Sequence, residues 1–176
     1  MLLFWTRGYA GTSIQDLVEG TDLLRGSLYH SFGDKRSLYI QTLRRYGQLA
    51  LAQTFADWKQ EESVLHNLRA VLMQIVEMPK VEQRRGNMIC NCIVEVVPHD
   101  PEIAHIVEEI LGEFKQAFQS RLADAQHAGK LDAGANTTAL ARYLVSSTQG
   151  LCVTAKGGAP RGELLDIVEV TLSVVR

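Results

Sequence analysis

No run of eighteen apolar residues occurs in this chain, so nothing in it reads as a helix able to span a bilayer. Cysteine is scarce and odd in number. Cys90, Cys92 and Cys152 come with no second Cys-x-x-Cys element, which argues against a disulfide framework and against a structural zinc site, and points to a cytoplasmic protein. The opening "MLLFWTRGYAG" has only one early cation and no apolar core followed by a small-residue cleavage site. It reads as the last turns of a helix whose beginning is missing rather than as a signal peptide. Alternating β-branched residues are also rare, and four prolines with a few glycine clusters supply the punctuation. No strand is expected.

What is present is the balance of an ordinary globular protein, 46% apolar and 22% charged. The net charge of −2 is unevenly spread. Residues 1–45 hold six cations (Arg7, Arg25, Lys35, Arg36, Arg44, Arg45) and four acids (Asp16, Glu19, Asp22, Asp34), so that end carries +2 and the remainder −4. A small basic end on an acidic body is expected when only that end meets a polyanion.

Apolar residues recur at helical spacing almost throughout, so the chain reads as all-α. In "TSIQDLVEG", Thr12 and Gln15 have capping-box spacing, Ile14, Leu17 and Val18 form a stripe, and Gly20 is placed to stop the helix. After "TDLL", a second short helix is expected from about Leu24 to Ser31, with Leu28 and Phe32 on its buried side. Asp34 then caps a long helix from Lys35 to about Lys59. Two short helices, a tight turn and a long helix are the outline of a helix-turn-helix leading into a second domain. The division is expected at 1–45 and 46–176. Further helices are expected over Val64–Met78, Gly86–Val97, from Asp100 as cap to about Ala128, from Asn136 or Thr137 to about Lys156, and over Arg161–Val175.

The stretch "GYAGTSIQDLVEGTDLLRGSLYHSFGDKRSLY", Gly8 to Tyr39, resembles the DNA-binding region of TetR/AcrR-family transcriptional regulators. It has "G-Y-x-x-T-S", then the short helix and turn, then "RGSLYHSF" and "DKRSLY" in order. "GNMICNCIVEVVPHDPE" is similar, more weakly, to the C-terminal domains of one branch. The resemblance implies an N-terminal three-helix reading domain with a truncated first helix, followed by a helical ligand-binding and dimerisation domain. The residue types fit. Gly26 and Ser27 are short enough for the backbone to sit deep in a major groove, Arg25 can pair bidentately with guanine, and Tyr29 and His30 can reach base edges or phosphates. Lys35, at a helix start, can bind phosphate, and Thr12 belongs to the same expected surface. The plainer alternatives are that Tyr29 is a core aromatic and that Lys35 and Arg36 are only solvated charges. Leu28, Phe32 and Leu38 are assigned to the core. The turn departs from the family pattern, which has Gly, an apolar residue and a Ser, Thr or Asn cap where this chain has Asp22, Leu23 and Leu24. Asp tolerates the left-handed conformation. Leu24 cannot cap, a loss of about 0.5–2 kcal/mol, so the second helix is expected to fray or to be ordered by DNA.

In the acidic body, Cys90 and Cys92 would point about 200° apart on a helix and cannot share one metal ion. They read as buried structural thiols, with Cys92 a sensor candidate if it faces a cavity. His66, His99, His105 and His127 lack ligand spacing, and no catalytic motif or cofactor site is found, so an enzyme is not expected. By the resemblance, Trp58, Met73, Met88, Cys92, Phe114, Phe118, Tyr143 and Gln149 lie on pocket-lining helices, with Tyr143 and Gln149 as orienting groups; for each the alternative is plain core. Leu140, Leu144, Leu151, Leu164, Leu165, Val168 and Leu172, with Ser147 and Gly150, give the last two helices apolar faces suited to a four-helix homodimer interface. The reading is a homodimeric repressor on a palindromic double-stranded operator, released by a small apolar or amphipathic effector. Its rivals are a helical DNA-binding dimer without effector and a helical-bundle enzyme or carrier.

Overall fold

The computed structural model describes residues 1–175, and among them every regular element is helical. The order is α1 (Leu2–Arg7), α2 (Ile14–Thr21), α3 (Arg25–Phe32), α4 (Lys35–Thr54), α5 (Val64–Val76), α6 (Lys80–Arg85), α7 (Met88–Glu95), a 3₁₀ turn (Val97–His99), α8 (Pro101–His127), α9 (Thr137–Lys156) and α10 (Arg161–Ser173). None of these helices is long and apolar enough to cross a membrane.

Packing divides the chain into two compact units. The first joins Met1–Leu49 to Asn87–Ile110, and the second joins Ala50–Gly86 to residues 111 onward. The first unit therefore takes in α7, which a division at 45/46 leaves in the body. The reason is an aromatic and carboxylate knot. The Tyr39 ring meets Phe4 edge-on at 5.1 Å and Tyr9 at 4.8 Å. Burial, joined by a hydrogen bond shared between the Tyr39 hydroxyl and the Cys92 thiol of α7, holds the tyrosine well above its usual titration range. Glu95, also on α7, accepts from the backbone N–H groups of Tyr9 at 3.1 Å and Ala10 at 2.7 Å. Gly8 has φ +76°, and a Cβ there would lie 2.6 Å from a Glu95 oxygen, so no other residue fits that bend without displacing the carboxylate. Leu17, Leu28, Leu43, Met88, Ile103 and Ile106 complete this core.

Short polar side chains set most helix starts. Asp34 accepts from Ser37 N–H at 2.6 Å, Asp100 from the N–H groups of Glu102 and Ile103, and Asn136 from Ala139 N–H, all at sequence-expected positions. Other boundaries differ. The α2 cap is Ser13, in a reciprocal box with Asp16, rather than Thr12 with Gln15. The helix runs through Gly20 and ends at Asp22, whose φ of 55° is left-handed. Helix α4 stops at Thr54, short of Lys59, because Phe55 turns inward against Trp58 and Phe118 at 6.0 and 4.9 Å between ring centroids. Helix α6 was not foreseen, and α7 begins only after Asn87, which caps it.

In the second unit α10 packs on α5 and α9. Its core includes Leu68, Leu72, Phe118, Leu122, Leu144, Leu151, Leu164, Val168 and Leu172. The expectation that Leu144, Leu151, Leu164, Val168 and Leu172 form a face left over for a partner is therefore corrected. All five are buried within the chain's own unit.

Candidate nucleic-acid interface

Helices α2 and α3 are joined by the residues around Asp22, whose left-handed conformation closes the turn without glycine. Leu24 follows as the N-cap of α3 and makes no side-chain capping bond. Gly33, at φ +81°, ends α3 with its N–H on Tyr29 O. The helix is fixed to the unit through Leu28, which is 1% exposed, whereas Phe32 and Leu38, expected in the core, are only half-buried.

That single anchor leaves Arg25, Gly26, Ser27, Tyr29 and His30 all exposed on α3. A Cβ on Gly26 would have no heavy atom within 4 Å, so the open face extends to the backbone itself. The Arg25 guanidinium lies 5.8 Å from the Tyr29 ring centroid and the Lys35 ammonium 4.4 Å from that of Tyr9, so aromatic faces hold both cations in place. Thr12 departs from this surface. It is fully buried and its hydroxyl donates to Gly8 O at 2.7 Å. Ser13, one residue on, is exposed and caps α2; adjacent Thr and Ser satisfy the same local pattern, and only packing separates them.

Ion pairing sorts the cations of the basic end. Arg7 pairs with Asp16, and Arg44 with Glu109 at 3.0 Å. Arg36 makes a two-pronged contact with Asp100 at 2.8 and 2.9 Å and reaches Glu102 at 2.7 Å. The Arg36 guanidinium in turn holds the Asp100 carboxyl down at about 2. Arg25, Lys35 and Arg45 have no carboxylate partner among the described residues. Arg25 opens α3 and Lys35 lies just beyond its end, so two cations free of ion pairs stand at a helix with short residues at its leading end.

The second unit carries a cleft of about 680 Å³ bordered by Trp58, Lys59, Asn67, Arg121, Asp124 and Lys130, among others. Arg121, which sequence reasoning missed, stacks 4.0 Å from the Phe55 ring centroid and 5.7 Å from that of Trp58, with one bond to Ala117 O. Of the expected effector side chains, Trp58 borders this cleft and Phe118 is sealed in the core beside Phe55. Tyr143 and Gln149 are half-buried on α9. Met88 and Cys92 lie in the first unit, at 1% and 0% exposure. Burial pushes the Cys92 thiol up, the opposite of the shift that a reactive thiol needs.

A short capped helix, a glycine-free tight turn and a second helix open on its leading face define a helix-turn-helix DNA-binding protein. A family model described as "Bacterial regulatory proteins, tetR family" matches residues 1–42. The chain is 34% identical over 176 residues to the uncharacterized HTH-type transcriptional regulator YezE of Bacillus subtilis, covering 98% of this chain and 90% of the relative. It is 30% identical to the HTH-type transcriptional repressor ComR of Escherichia coli, covering 98% and 83%. A solved cysteine mutant of the TetR-family regulator CifR, complexed with 26-bp double-strand operator DNA, superposes with a TM-score of 0.82 at 26% identity, covering 99% of this chain and 92% of that one. The chain belongs to the TetR family of bacterial regulatory proteins. It is a helix-turn-helix transcriptional regulator and not an enzyme.

Proposed function

We propose that the protein is a cytoplasmic homodimeric repressor whose two α3 helices read a palindromic operator, and that a small amphipathic effector in the second unit releases it. The observation that carries this reading is the exposed leading end of α3, with Arg25 and Lys35 free of ion pairs beside it, on a chain that superposes over nearly its whole length on a regulator solved with operator DNA. Residues 1–45 supply the contacts. Arg25 pairs with guanine, Gly26 and Ser27 allow close approach, Tyr29 and His30 reach base edges or phosphates, and Lys35 takes a phosphate oxygen at the start of α4.

The effector part of the reading rests on the cleft beside Trp58. Its indole gives one apolar wall and Arg121 a polar one, which suits an amphipathic molecule better than a purely apolar one. Dimer half-sites lie about 34–36 Å apart, so an effector releases DNA by preferring a dimer state with another spacing of its α3 helices. An effector with equal affinity for both states would shift nothing.

Thermodynamic reciprocity gives the test. Calorimetry of an effector found by thermal-shift screening should show weaker binding to the operator-bound dimer than to the free dimer, by the same factor that the effector removes from operator affinity. Equal binding to both would leave a DNA-binding dimer without effector control.

A further inference from the structure

Leu24 is unexplained by the packing of its own unit. It is 79% exposed, its backbone is extended (φ −62°, ψ 143°), and it offers no side-chain bond to the first turn of α3. A leucine in water gains nothing from burial, and a helix start without a side-chain cap leaves amide N–H groups to solvent. Both are losses in the free protein. Beside it stand Arg25, Gly26 and Ser27, all exposed, with open space around the Gly26 backbone. Leu28, one turn on, is buried and fixes the orientation of this end. The leading end of α3 thus presents one large apolar side chain next to a cation and two small residues.

The leading end of the second helix is the part of a helix-turn-helix that meets base edges. Major-groove edges offer hydrogen-bond donors and acceptors and a single apolar feature, the thymine C5-methyl. The geometry points to Leu24 as a specificity-determining residue that packs on the C5-methyl of one thymine in each operator half-site. The inference rests on the DNA reading proposed above. In this arrangement the exposed leucine is a recognition element whose burial is completed only on DNA.

The test begins with a duplex selected by the wild-type protein from a random-sequence pool. Each thymine of that duplex is then replaced in turn by deoxyuridine, which lacks only the C5-methyl. At one position in each half-site, wild-type binding should weaken about fourfold per half-site, the worth of one buried methyl-sized group. Leu24→Ala and Leu24→Ser should bind the thymine and uracil duplexes equally. Leu24→Ser should also melt at a higher temperature than wild type, because serine caps α3, so its loss of discrimination cannot come from misfolding. Methyl-independent wild-type binding at every position, or retained discrimination in both variants, overturns the role of Leu24. A pool in which no sequence is enriched overturns the DNA reading itself, and the inference with it.

Discussion

Lys35 stands at the first position of α4 with its ammonium over the Tyr9 ring, whereas Arg25 opens α3 among exposed small residues. Their losses should therefore differ in kind. Lys35→Ala should weaken binding to all duplexes and lower the salt slope by about one per contact, while Arg25→Ala should also flatten base preference. Equal losses with unchanged preference, measured by salt titration on specific and random duplexes, would defeat the assignment. Asp100 answers to pH instead. Its carboxyl is held at about 2 against an ordinary 3.8, first by the Arg36 guanidinium and then by the Ile103 and Glu102 amides. A depressed folded-state value means a stabilisation that is complete above about pH 4 and lost as pH falls through about 2. Asp100→Asn should melt lower than wild type at neutral pH, and the gap should close between pH 4 and 2. Melting curves that stay parallel through that window would show that the pair contributes nothing to folding.

Among the elements, α5 does more than fill the core. Asn67, 3% exposed, accepts from Lys59 N–H at 2.9 Å and donates to Lys59 O at 2.7 Å, pinning the segment that follows α4 and borders the cleft. Asn67→Ala should lower stability by about 1–2 kcal/mol, measured by urea unfolding, and raise amide exchange over residues 56–62. Unchanged exchange there would mean that the segment is held by other contacts. The elements also show where sequence is legible. Asp34, Asp100 and Asn136 could be named as caps because a cap is a short polar side chain just ahead of an apolar-periodic run, a wholly local pattern. The left-handed Asp22 and the uncapped Leu24 were legible for the same reason. The end of α4 was not, since "LALAQTFADWK" holds no glycine or proline and the helix ends where Phe55 finds its aromatic partners. Helix α6, six residues long, is too short for its periodicity to stand out.

For the whole molecule, the dimer reading moves to other residues than the leucines of α9 and α10. Ser146, Gly150 and Val153 share one exposed face of α9, and Val170 on α10 and Val174, just past its end, are exposed as well. Val153 is 57% exposed and Val170 63%. Val153→Glu with Val170→Glu should shift sedimentation toward monomer while leaving the chain folded, whereas glutamate at Leu151 or Leu172 would unfold the second unit by burying charge. An unchanged dimer would put the interface elsewhere. Which apolar residues a helix keeps for its own core is decided by partners distant in sequence, and no periodicity reports it. The same distance hid the role of α7, since Glu95 reaches Tyr9 across 86 residues. That contact bears on how such regulators can be recombined. A chimera that transplants residues 1–45 onto a foreign body would leave the bend at Gly8 without its carboxylate and Tyr39 without the Cys92 thiol. A graft that carries residues 87–110 along keeps both. The portable cassette of this protein is discontinuous, and its exchange in evolution or in engineering requires two crossovers beyond the first rather than a single cut.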